Sequence, residues 1–203
     1  MPDINTLVKE LTLEEKISLL TGFNSWYSNK IPRLKTPSMK MSDGPNGVRG
    51  DSTSGKSSAC FPCPISMGST WNKKLIKKIG TALGEEALDK DVDVLLGPTI
   101  NLHRHPLGGR HFENFSEDPF LPAEIAVAYV KGVQSKKLSA GLKHFVANDT
   151  EFERHTVSSN LDERTLREVY LLPFEMGIKK AKAKSVMSAY NKLNNIYLSL
   201  IHI

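Results

Sequence analysis

Apolar and polar residues alternate along this chain with two different periods. In the segment 71–90 the apolar residues recur every three or four positions, which predicts a helix of about five turns. Its buried face is expected to carry Leu75, Ile76, Ile79, Leu83 and Ala87. The segment 92–98, VDVLLGP, is a continuous apolar run between Asp91 and Pro98, as expected for a fully buried strand. A helix followed by a buried strand is therefore predicted in this part of the chain.

Three further segments have the pattern of strands. They are 38–42 (SMKMS), 139–147 (SAGLKHFVA) and 185–191 (SVMSAYN). A turn at Asn194-Asn195 follows the last of them. Strands and helices then alternate four times along the chain, which predicts a parallel sheet whose strands are joined by helical crossovers.

Three more helices are predicted from their first residues or from their apolar faces. The first begins at a capping box, in which Thr12 accepts a hydrogen bond from a first-turn amide and Glu15 reaches back. The second carries Ile125, Tyr129 and Val133 on one face, and the third begins after Asp162. The third is expected to kink at Pro173 and to bury Leu166, Val169, Tyr170 and Phe174.

Polar residues collect directly after the predicted strands. They are Asp43, the segment 103–110, the pair Lys143-His144 and the pair Tyr190-Asn191. In a (β/α) barrel the loops after the strands form the mouth of the active site. The sequence therefore predicts an α/β fold that is the N-terminal part of a TIM-like (β/α)8 barrel, and an incomplete one.

Composition excludes several other classes of protein. The chain has 203 residues, of which 39% are hydrophobic and 24% are charged, as in an ordinary globular domain. No apolar run is long enough to span a bilayer, and the polar start of the chain does not have the pattern of a secretory signal. We expect a cytoplasmic protein that does not enter membranes. No glycine fingerprint of a nucleotide-binding sheet opens any of the predicted helices.

The net charge of +5 does not by itself indicate nucleic-acid binding. The lysines at 73–78, 136–137 and 179–184 are dispersed over three predicted helices, where they form solvated faces or lie near the carboxyl end of a helix. A nucleic-acid site needs basic residues gathered on one surface. We therefore expect no nucleic-acid partner.

Two motifs raise the possibility of a metal or redox site. Cys60 and Cys63 form a C-x-x-C in a Ser/Gly-rich loop, without the second pair that a zinc site needs, and are expected to be ordinary loop thiols. His103-x-His105 follows the buried strand 92–98 and could hold a divalent metal in a barrel hydrolase. No later His and Asp set completes such a site, so we expect neither a metal nor a cofactor.

The side chains at the strand ends could bind several classes of ligand. An acid, an arginine, a lysine-histidine pair and a tyrosine provide acceptors, cationic donors and an aromatic face. A sugar needs all three, because its hydroxyls both donate and accept. A phosphate or a carboxylate ligand would suit the same residues, so the inventory alone does not choose.

Longer motifs narrow the choice. The segments 41–50 (MSDGPNGVRG), 108–124 (GGRHFENFSEDPFLPAE), 141–159 (GLKHFVANDTEFERHTVSS), 161–174 (LDERTLREVYLLPF) and 186–195 (VMSAYNKLNN) appear in that order. Together they resemble the N-terminal domain of glycoside hydrolase family 3, notably its β-glucosidases, over nearly all of residues 10–198. The resemblance implies a (β/α) barrel followed by an α/β sandwich domain, in a retaining enzyme that uses two carboxylates.

The resemblance also implies residue roles in a pocket for a β-glucoside or an oligosaccharide. Asp43 matches the carboxylate that holds hydroxyls of the terminal sugar, although an Asp before Gly-Pro is also an ordinary turn residue. Arg110 matches an arginine that lines the sugar pocket, and it could also pair with Glu113 or Asp118. Lys143 and His144 match a pair that donates to sugar hydroxyls.

Three more positions carry roles by the same resemblance. Arg154 matches a further cation of the pocket, and Met187 and Tyr190 match an M-x-x-Y motif whose tyrosine lies near the nucleophile. Met187 would also suit plain core packing. The other acidic residues near the mouth are expected to be structural or to pair with arginines: Glu113, Glu117, Asp118, Glu151 and Glu153.

The motif that carries the family's nucleophile does not occur in this chain, and the acid/base belongs to the later domain. We therefore expect no catalytic carboxylate here. Residues 1–35 are expected to be an N-terminal helix and lead-in, 36–198 a partial barrel, and 199–203 a tail foreign to the family. The function expected is that of a fragment of a retaining β-glycosidase, with a non-catalytic carbohydrate-binding remnant as the alternative. Oligomeric state is left open.

Overall fold

Helices and strands alternate along the chain in the predicted order. The structure is a computed structural model and describes residues 3–50 and 56–198. Its helices are α1 (Ile4–Glu10), α2 (Leu13–Leu19), α3 (Pro64–Ser69), α4 (Lys73–Asp89), α5 (Phe120–Gln134), α6 (Glu163–Thr165) and α7 (Leu172–Ala181). Its strands are β1 (Met41–Asp43), β2 (Val94–Leu96), β3 (Ser139–Phe145), β4 (Ser158–Ser159), β5 (Ser185–Ser188), β6 (Lys192–Leu193) and β7 (Ile196–Tyr197).

Within the described residues, four strands form a parallel sheet in the order β1, β2, β3, β5. Asp43 at the end of β1 lies opposite Leu96 at the end of β2. The pairing of β3 with β5 shifts register between Leu142 and Phe145. β1 and β5 are the outer strands and do not pair with each other, so the sheet is open. The α/β class is confirmed, and the arrangement is the first part of a (β/α) barrel.

The crossover helices α4, α5 and α7 pack side by side, α5 between the other two. α5 carries Ile125, Tyr129 and Val133, all of which are fully buried as predicted. A Cβ atom added at Gly80 of α4 would lie 2.5 Å from the backbone oxygen of Tyr129. One added at Gly132 of α5 would lie 2.4 Å from the backbone oxygen of Lys77. The two helices therefore touch backbone to backbone, which only glycine permits.

The predicted buried face of α4 is largely confirmed. Ile76, Leu83 and Ala87 are fully buried, and Ile79 is partly buried against the same core. Leu75 is 39% exposed, so its assignment to this face was wrong. Successive residues of a helix point about 100° apart, so Leu75 lies outside the stripe that is centred on Ile76 and Leu83.

The helix predicted after Asp162 is interrupted before Pro173. Asp162 caps α6 by accepting a hydrogen bond from the amide of Thr165 at 2.9 Å. A π-helical segment then spans Leu166–Tyr170, in which the amide of Leu171 donates to the carbonyl of Leu166 at 2.8 Å. Pro173 has no N–H to donate to the hydrogen bonds of an α-helix. The π-helical segment contains one residue more per hydrogen-bonded turn than an α-helix, and it lies just before this proline. The α-helical pattern is therefore interrupted just before Pro173, and the kink itself stays a prediction.

The N-terminal helices lie outside the core. Thr12 and Glu15 form the predicted capping box at the start of α2. α1 and α2 carry no buried residue. In the described part of the chain, no helix is both long and apolar enough to cross a bilayer. The boundary at residue 35 stays a prediction, and the tail 199–203 lies outside the described residues.

A small second sheet follows β3 and β5. It joins β4, β6 and β7, with β6 and β7 antiparallel. Asn194 and Asn195 both have positive φ, 48° and 68°, and form the two-residue turn between β6 and β7. Asn adopts this left-handed conformation more readily than most residues, which is why Asn-Asn suits such a hairpin. The predicted turn is therefore real, but it joins a hairpin that sequence reasoning did not anticipate.

Candidate functional site

The carboxyl ends of the four parallel strands border one pocket of about 530 Å³. Asp43 comes from β1, Leu96 from β2, Lys143 from β3 and Met187 from β5. All the residues predicted from the resemblance line this pocket: Asp43, Arg110, Lys143, His144, Arg154, Met187 and Tyr190. The fold thus gathers them from separate segments of the chain, at the edge of the sheet where a barrel carries its active site.

An ion pair crosses the floor of the pocket. Lys143 Nζ donates to Asp43 Oδ1 at 2.6 Å, and the Lys143 side chain is 3% exposed. Burial disfavours ionisation of Asp43, but the charge and hydrogen bond of Lys143 outweigh it, so the pKa of Asp43 is held below its ordinary value. Arg49 is a more distant partner of the same carboxylate, at 3.9 Å. Asp43 is therefore an ionised acceptor at neutral pH.

Arg110 is held by two glutamates. Its Nε donates to Glu113, whose other carboxylate oxygen accepts from the buried Thr99 hydroxyl at 2.8 Å. A second guanidinium nitrogen lies 3.9 Å from Glu151. Burial disfavours the charge of Arg110, but Glu113 outweighs it and raises the pKa of the guanidinium. The predicted pairing with Glu113 is present. Asp118 instead accepts from the amide of Leu121 in the first turn of α5, at 2.8 Å.

Glu151 also holds the second arginine of the pocket. Its Oε2 accepts from Arg154 at 2.9 Å. The Arg154 guanidinium lies 5.1 Å from the centre of the Tyr190 ring, within the range of a cation–π contact. The His155 ring also lies against the Tyr190 ring, with centroids 4.6 Å apart. The loop after β3 and the loop after β5 are thereby joined at the mouth of the pocket.

His144 lies next to Lys143 and is 4% exposed. The strand is irregular here, because its register against β5 shifts between Leu142 and Phe145. Both side chains line the pocket, although neighbours in a regular strand point to opposite faces. Burial, followed by the charges of Arg110 and Lys143, lowers the pKa of His144 to about 3. The imidazole is therefore neutral at physiological pH.

The pocket offers a defined set of chemical groups. Lys143, Arg110 and Arg154 supply only donors, Asp43 supplies an ionised acceptor, and Tyr190 supplies an aromatic face that is 53% exposed. Among the described residues, Asp43 is the only carboxylate that lines this pocket. Such a set can hold a ligand with several hydroxyls. One carboxylate in an ion pair cannot by itself supply both a nucleophile and a proton donor.

Sequence reasoning missed part of the pocket wall. Ser25 and Trp26 line it from the lead-in before β1. Trp26 is held there because its carbonyl accepts from the amide of Met41 at 2.7 Å. No periodic pattern marks these residues, so only the fold reveals them. Asn101, which contacts His144, was also missed, although it follows the buried strand 92–98 and the strand-end rule could have found it.

The histidines and cysteines outside the pocket do not assemble into a metal site. His103 Nε2 lies 2.9 Å from the carbonyl oxygen of His111, and His105 Nδ1 accepts from the amide of Leu107 at 3.2 Å. Cys60 and Cys63 are free thiols, the first exposed and the second half-buried. Residues 3–50 and 56–198 contain no group of three or more His, Cys, Asp and Glu side chains that could hold a metal ion.

Comparison with known proteins gives consistent matches. Residues 11–200 match the family model "Glycosyl hydrolase family 3 N terminal domain". A beta-glucosidase of Rhizobium radiobacter is 54% identical over 198 residues, which are 97% of this chain and 24% of that protein. A putative beta-glucosidase of Schizosaccharomyces pombe is 49% identical over the same shares of the two chains. The chain therefore spans about a quarter of the length of the curated relatives it matches.

Solved structures match equally well. The beta-glucosidase from Kluyveromyces marxianus in complex with glucose has a TM-score of 0.92 and 44% identity, over 96% of this chain and 24% of that one. The beta-glucosidase 3B from Thermotoga neapolitana in complex with alpha-D-glucose has a TM-score of 0.90 and 43% identity, over 95% and 30%. The open sheet and its helices thus occur in the same arrangement in much longer chains.

Proposed function

Since this chain belongs to glycosyl hydrolase family 3, we propose that it is the N-terminal part of a retaining β-glucosidase. The protein would release terminal β-D-glucosyl or related residues from glucosides and oligosaccharides. The observation that carries this proposal is the pocket at the strand ends, which gathers Asp43, Lys143, Arg110 and Arg154 around a space of about 530 Å³. Beta-glucosidases with the same fold have been solved with glucose bound, which supports the choice of ligand.

In this proposal the pocket holds the terminal sugar through its hydroxyls. Asp43 accepts from hydroxyls of the sugar, and its pair with Lys143 keeps it ionised and fixed in place. Lys143, Arg110 and Arg154 donate to hydroxyl oxygens, and charge-assisted hydrogen bonds of this kind are stronger than neutral ones. Tyr190 and Met187 border the same space. Groups that are already held by Glu113 and Glu151 need little reordering on binding.

The cleavage step needs groups beyond those described. A retaining hydrolase uses a nucleophile and an acid/base whose carboxyls lie about 5–5.5 Å apart. Asp43 is the only carboxylate of the described residues in the pocket, and Lys143 already occupies one of its oxygens. We propose that the nucleophile and the acid/base are supplied by other parts of a longer protein. The residues of this chain bind and orient the sugar, and the carboxylates that act on the glycosidic bond approach from outside it.

The test is an assay of the full-length protein that contains this chain. It should hydrolyse an aryl β-D-glucoside but not the α-anomer. A 2-deoxy-2-fluoro-β-glucosyl fluoride should label it covalently, at a carboxylate outside this chain, as the retaining mechanism requires. Asp43→Asn should lower kcat/KM by about 100-fold or more, since a charge-assisted contact to the sugar is lost. A folded full-length protein without any glycosidase activity would overturn the proposal.

A non-catalytic carbohydrate-binding protein is the second candidate. It is favoured by one observation, the presence of sugar-binding groups in a pocket with a single described carboxylate. Calorimetry with glucose separates the two candidates. The second candidate is supported if glucose binds in a way that depends on Asp43 and Lys143, while the full-length protein cleaves neither β-glucosides nor the 2-deoxy-2-fluoro-β-glucosyl fluoride.

A further inference from the structure

Asn101 and His144 are joined by a two-point contact below the pocket. Asn101 Nδ2 donates to the carbonyl oxygen of His144 at 2.9 Å, and Asn101 Oδ1 accepts from the amide of His144 at 2.9 Å. Both residues are buried. If the side-chain amide of Asn101 were flipped, its NH₂ would face the backbone N–H of His144, and its oxygen would face the backbone carbonyl. Neither pair can form a hydrogen bond, so the two backbone contacts fix the position of Oδ1.

This orientation determines the position of the imidazole proton. His144 Nδ1 lies 3.3 Å from Asn101 Oδ1, which is an acceptor only. Nδ1 must therefore carry a hydrogen to make this contact. The ring is neutral, because burial and the neighbouring cations lower the pKa of His144 to about 3. A neutral ring holds one hydrogen, so Nε2 is left with a free lone pair.

Three cations and one carboxylate act on the His144 ring. Arg110 and Lys143 disfavour protonation of the ring, Asp43 favours it more weakly than either of them disfavours it, and Arg154 disfavours it least. The three cations can only donate hydrogen bonds. Besides Asp43, whose Oδ1 is engaged by Lys143, and the hydroxyls of Ser25, Ser188 and Tyr190, the pocket gains in Nε2 a further acceptor for a ligand with several hydroxyls. None of the described residues forms a hydrogen bond with Nε2.

We propose that Asn101 is a positioning residue that fixes the tautomer of His144, so that His144 Nε2 accepts a hydrogen bond from one sugar hydroxyl. The proposal rests on the proposed function for its ligand, but the tautomer is a property of the free protein. It differs from the donor role that the family resemblance implies for His144. The lone pair of His144 Nε2 favours a sugar with a hydroxyl at the position that faces it over a sugar with a group that can only accept. This position of the sugar therefore contributes to specificity.

The tautomer is tested without substrate. Ring nitrogens with and without hydrogen have well separated ¹⁵N shifts, so the full-length protein labelled at histidine reports the state of His144, with His144→Gln for assignment. A hydrogen on Nδ1 and none on Nε2 at pH 7 is expected. A hydrogen on Nε2, or a doubly protonated ring, would overturn the proposal whether or not the protein cleaves glucosides.

The acceptor role is tested with β-glucosides in which the 3-, 4- or 6-hydroxyl is replaced in turn by hydrogen or by fluorine. The 2-position is left out, because fluorine there slows the cleavage step itself. Fluorine cannot donate, so at one position both replacements should lower kcat/KM by a similar factor, roughly tenfold. In His144→Ala that loss should largely disappear. If the fluoro compound keeps the wild-type rate at every position that depends on His144, the ring donates and the proposal is wrong. A protein that cleaves no glucoside contradicts the proposed function instead, and the ¹⁵N result still decides the tautomer.

Asn101→Asp tests the positioning role. Asp has the shape of Asn but places a carboxylate beside Nδ1, which favours the protonated ring. KM for a β-glucoside should rise roughly tenfold at pH 6 and recover towards pH 8, a pH dependence absent from the wild type. Asn191→Asp is the matched control, because Asn191 is 1% exposed and donates to the carbonyl of Val146 in the strand-end region without lining the pocket. An Asn101→Asp variant with the wild-type pH profile, or a control with the same change, would refute the role.

Discussion

Lys143 Nζ lies 2.6 Å from Asp43 Oδ1, and this contact joins residues that are 100 positions apart in sequence. The two residues belong to β3 and β1, with β2 between them. The lysine is almost fully buried and the aspartate is 27% exposed. A buried ammonium group without a counter-charge is costly, and Asp43 supplies that counter-charge to the buried Lys143. The pair therefore links the integrity of the sheet to the shape of the pocket.

Lys143→Met is expected to lower the free energy of unfolding by about 1–3 kcal/mol, because it leaves Asp43 without its main partner. The pKa of Asp43 should rise towards its ordinary value, since the cation that lowers it is gone. Thermal and urea unfolding of the full-length protein measure the first effect. Lys179→Met is the matched control: its pair with Glu175 is exposed to water, so the free energy of unfolding should change little. Equal losses in both variants would contradict this account of the pair.

Much of the fold was predictable because burial leaves a pattern in the sequence. The apolar run VDVLLGP contains β2, whose Leu95 is fully buried. The helix before it, α4, buries Ile76 and Leu83. The assignment of Leu75 failed because the apolar pattern alone does not mark the edge of the buried stripe. The hairpin of β6 and β7 was missed because its strands are two residues each, too short for any period to appear.

The residues of the candidate site that come at the ends of predicted strands were predictable from the sequence. The residues that reach the site through tertiary contacts were not. Asp43 and Lys143 follow the rule that polar residues at strand ends line a common mouth. Trp26 reaches the pocket only because its carbonyl pairs with Met41, and nothing in the local sequence indicates that pairing. The tautomer of His144 depends on Asn101, which is 43 positions away in sequence. Contacts between residues so far apart in sequence leave no local pattern, so only the fold reveals them.

The crossing of α4 and α5 yields a second prediction. Gly80→Ala would place a Cβ atom 2.5 Å from the backbone oxygen of Tyr129, and a backbone cannot move as a side chain can. We expect a loss of about 2–3 kcal/mol despite the better helix propensity of alanine. Gly177→Ala in α7 is the control, because its nearest neighbour is the end of the Leu142 side chain, at 2.7 Å. Unfolding measurements that rank Gly177→Ala as the more damaging change would disprove the backbone contact.

A third prediction concerns the dependence of stability on pH. The folded pKa of His144 is about 3, well below its ordinary value of 6.5. Between these values the unfolded chain binds a proton that the folded chain excludes, so stability falls as pH falls, by at most about 1.4 kcal/mol per pH unit. His144→Gln should flatten this slope between pH 6 and 4. Asp43, whose pKa is lowered from 3.8, adds its own loss only below that pH. Parallel wild-type and variant curves in urea titrations from pH 7 to 4 would exclude a neutral buried His144.

The last prediction concerns Trp26, which borders the pocket at the strand ends from the lead-in before β1. An aromatic ring at this wall would contact the apolar face of a bound sugar, so Trp26→Ala should raise KM for an aryl β-glucoside by roughly tenfold and change kcat little. Phe23→Ala is the matched control, since Phe23 is 73% exposed and lines a different pocket of about 510 Å³. Steady-state kinetics of the full-length variants measure both. If Trp26→Ala leaves KM unchanged while the protein still melts at the wild-type temperature, the lead-in forms part of the wall without contacting the sugar.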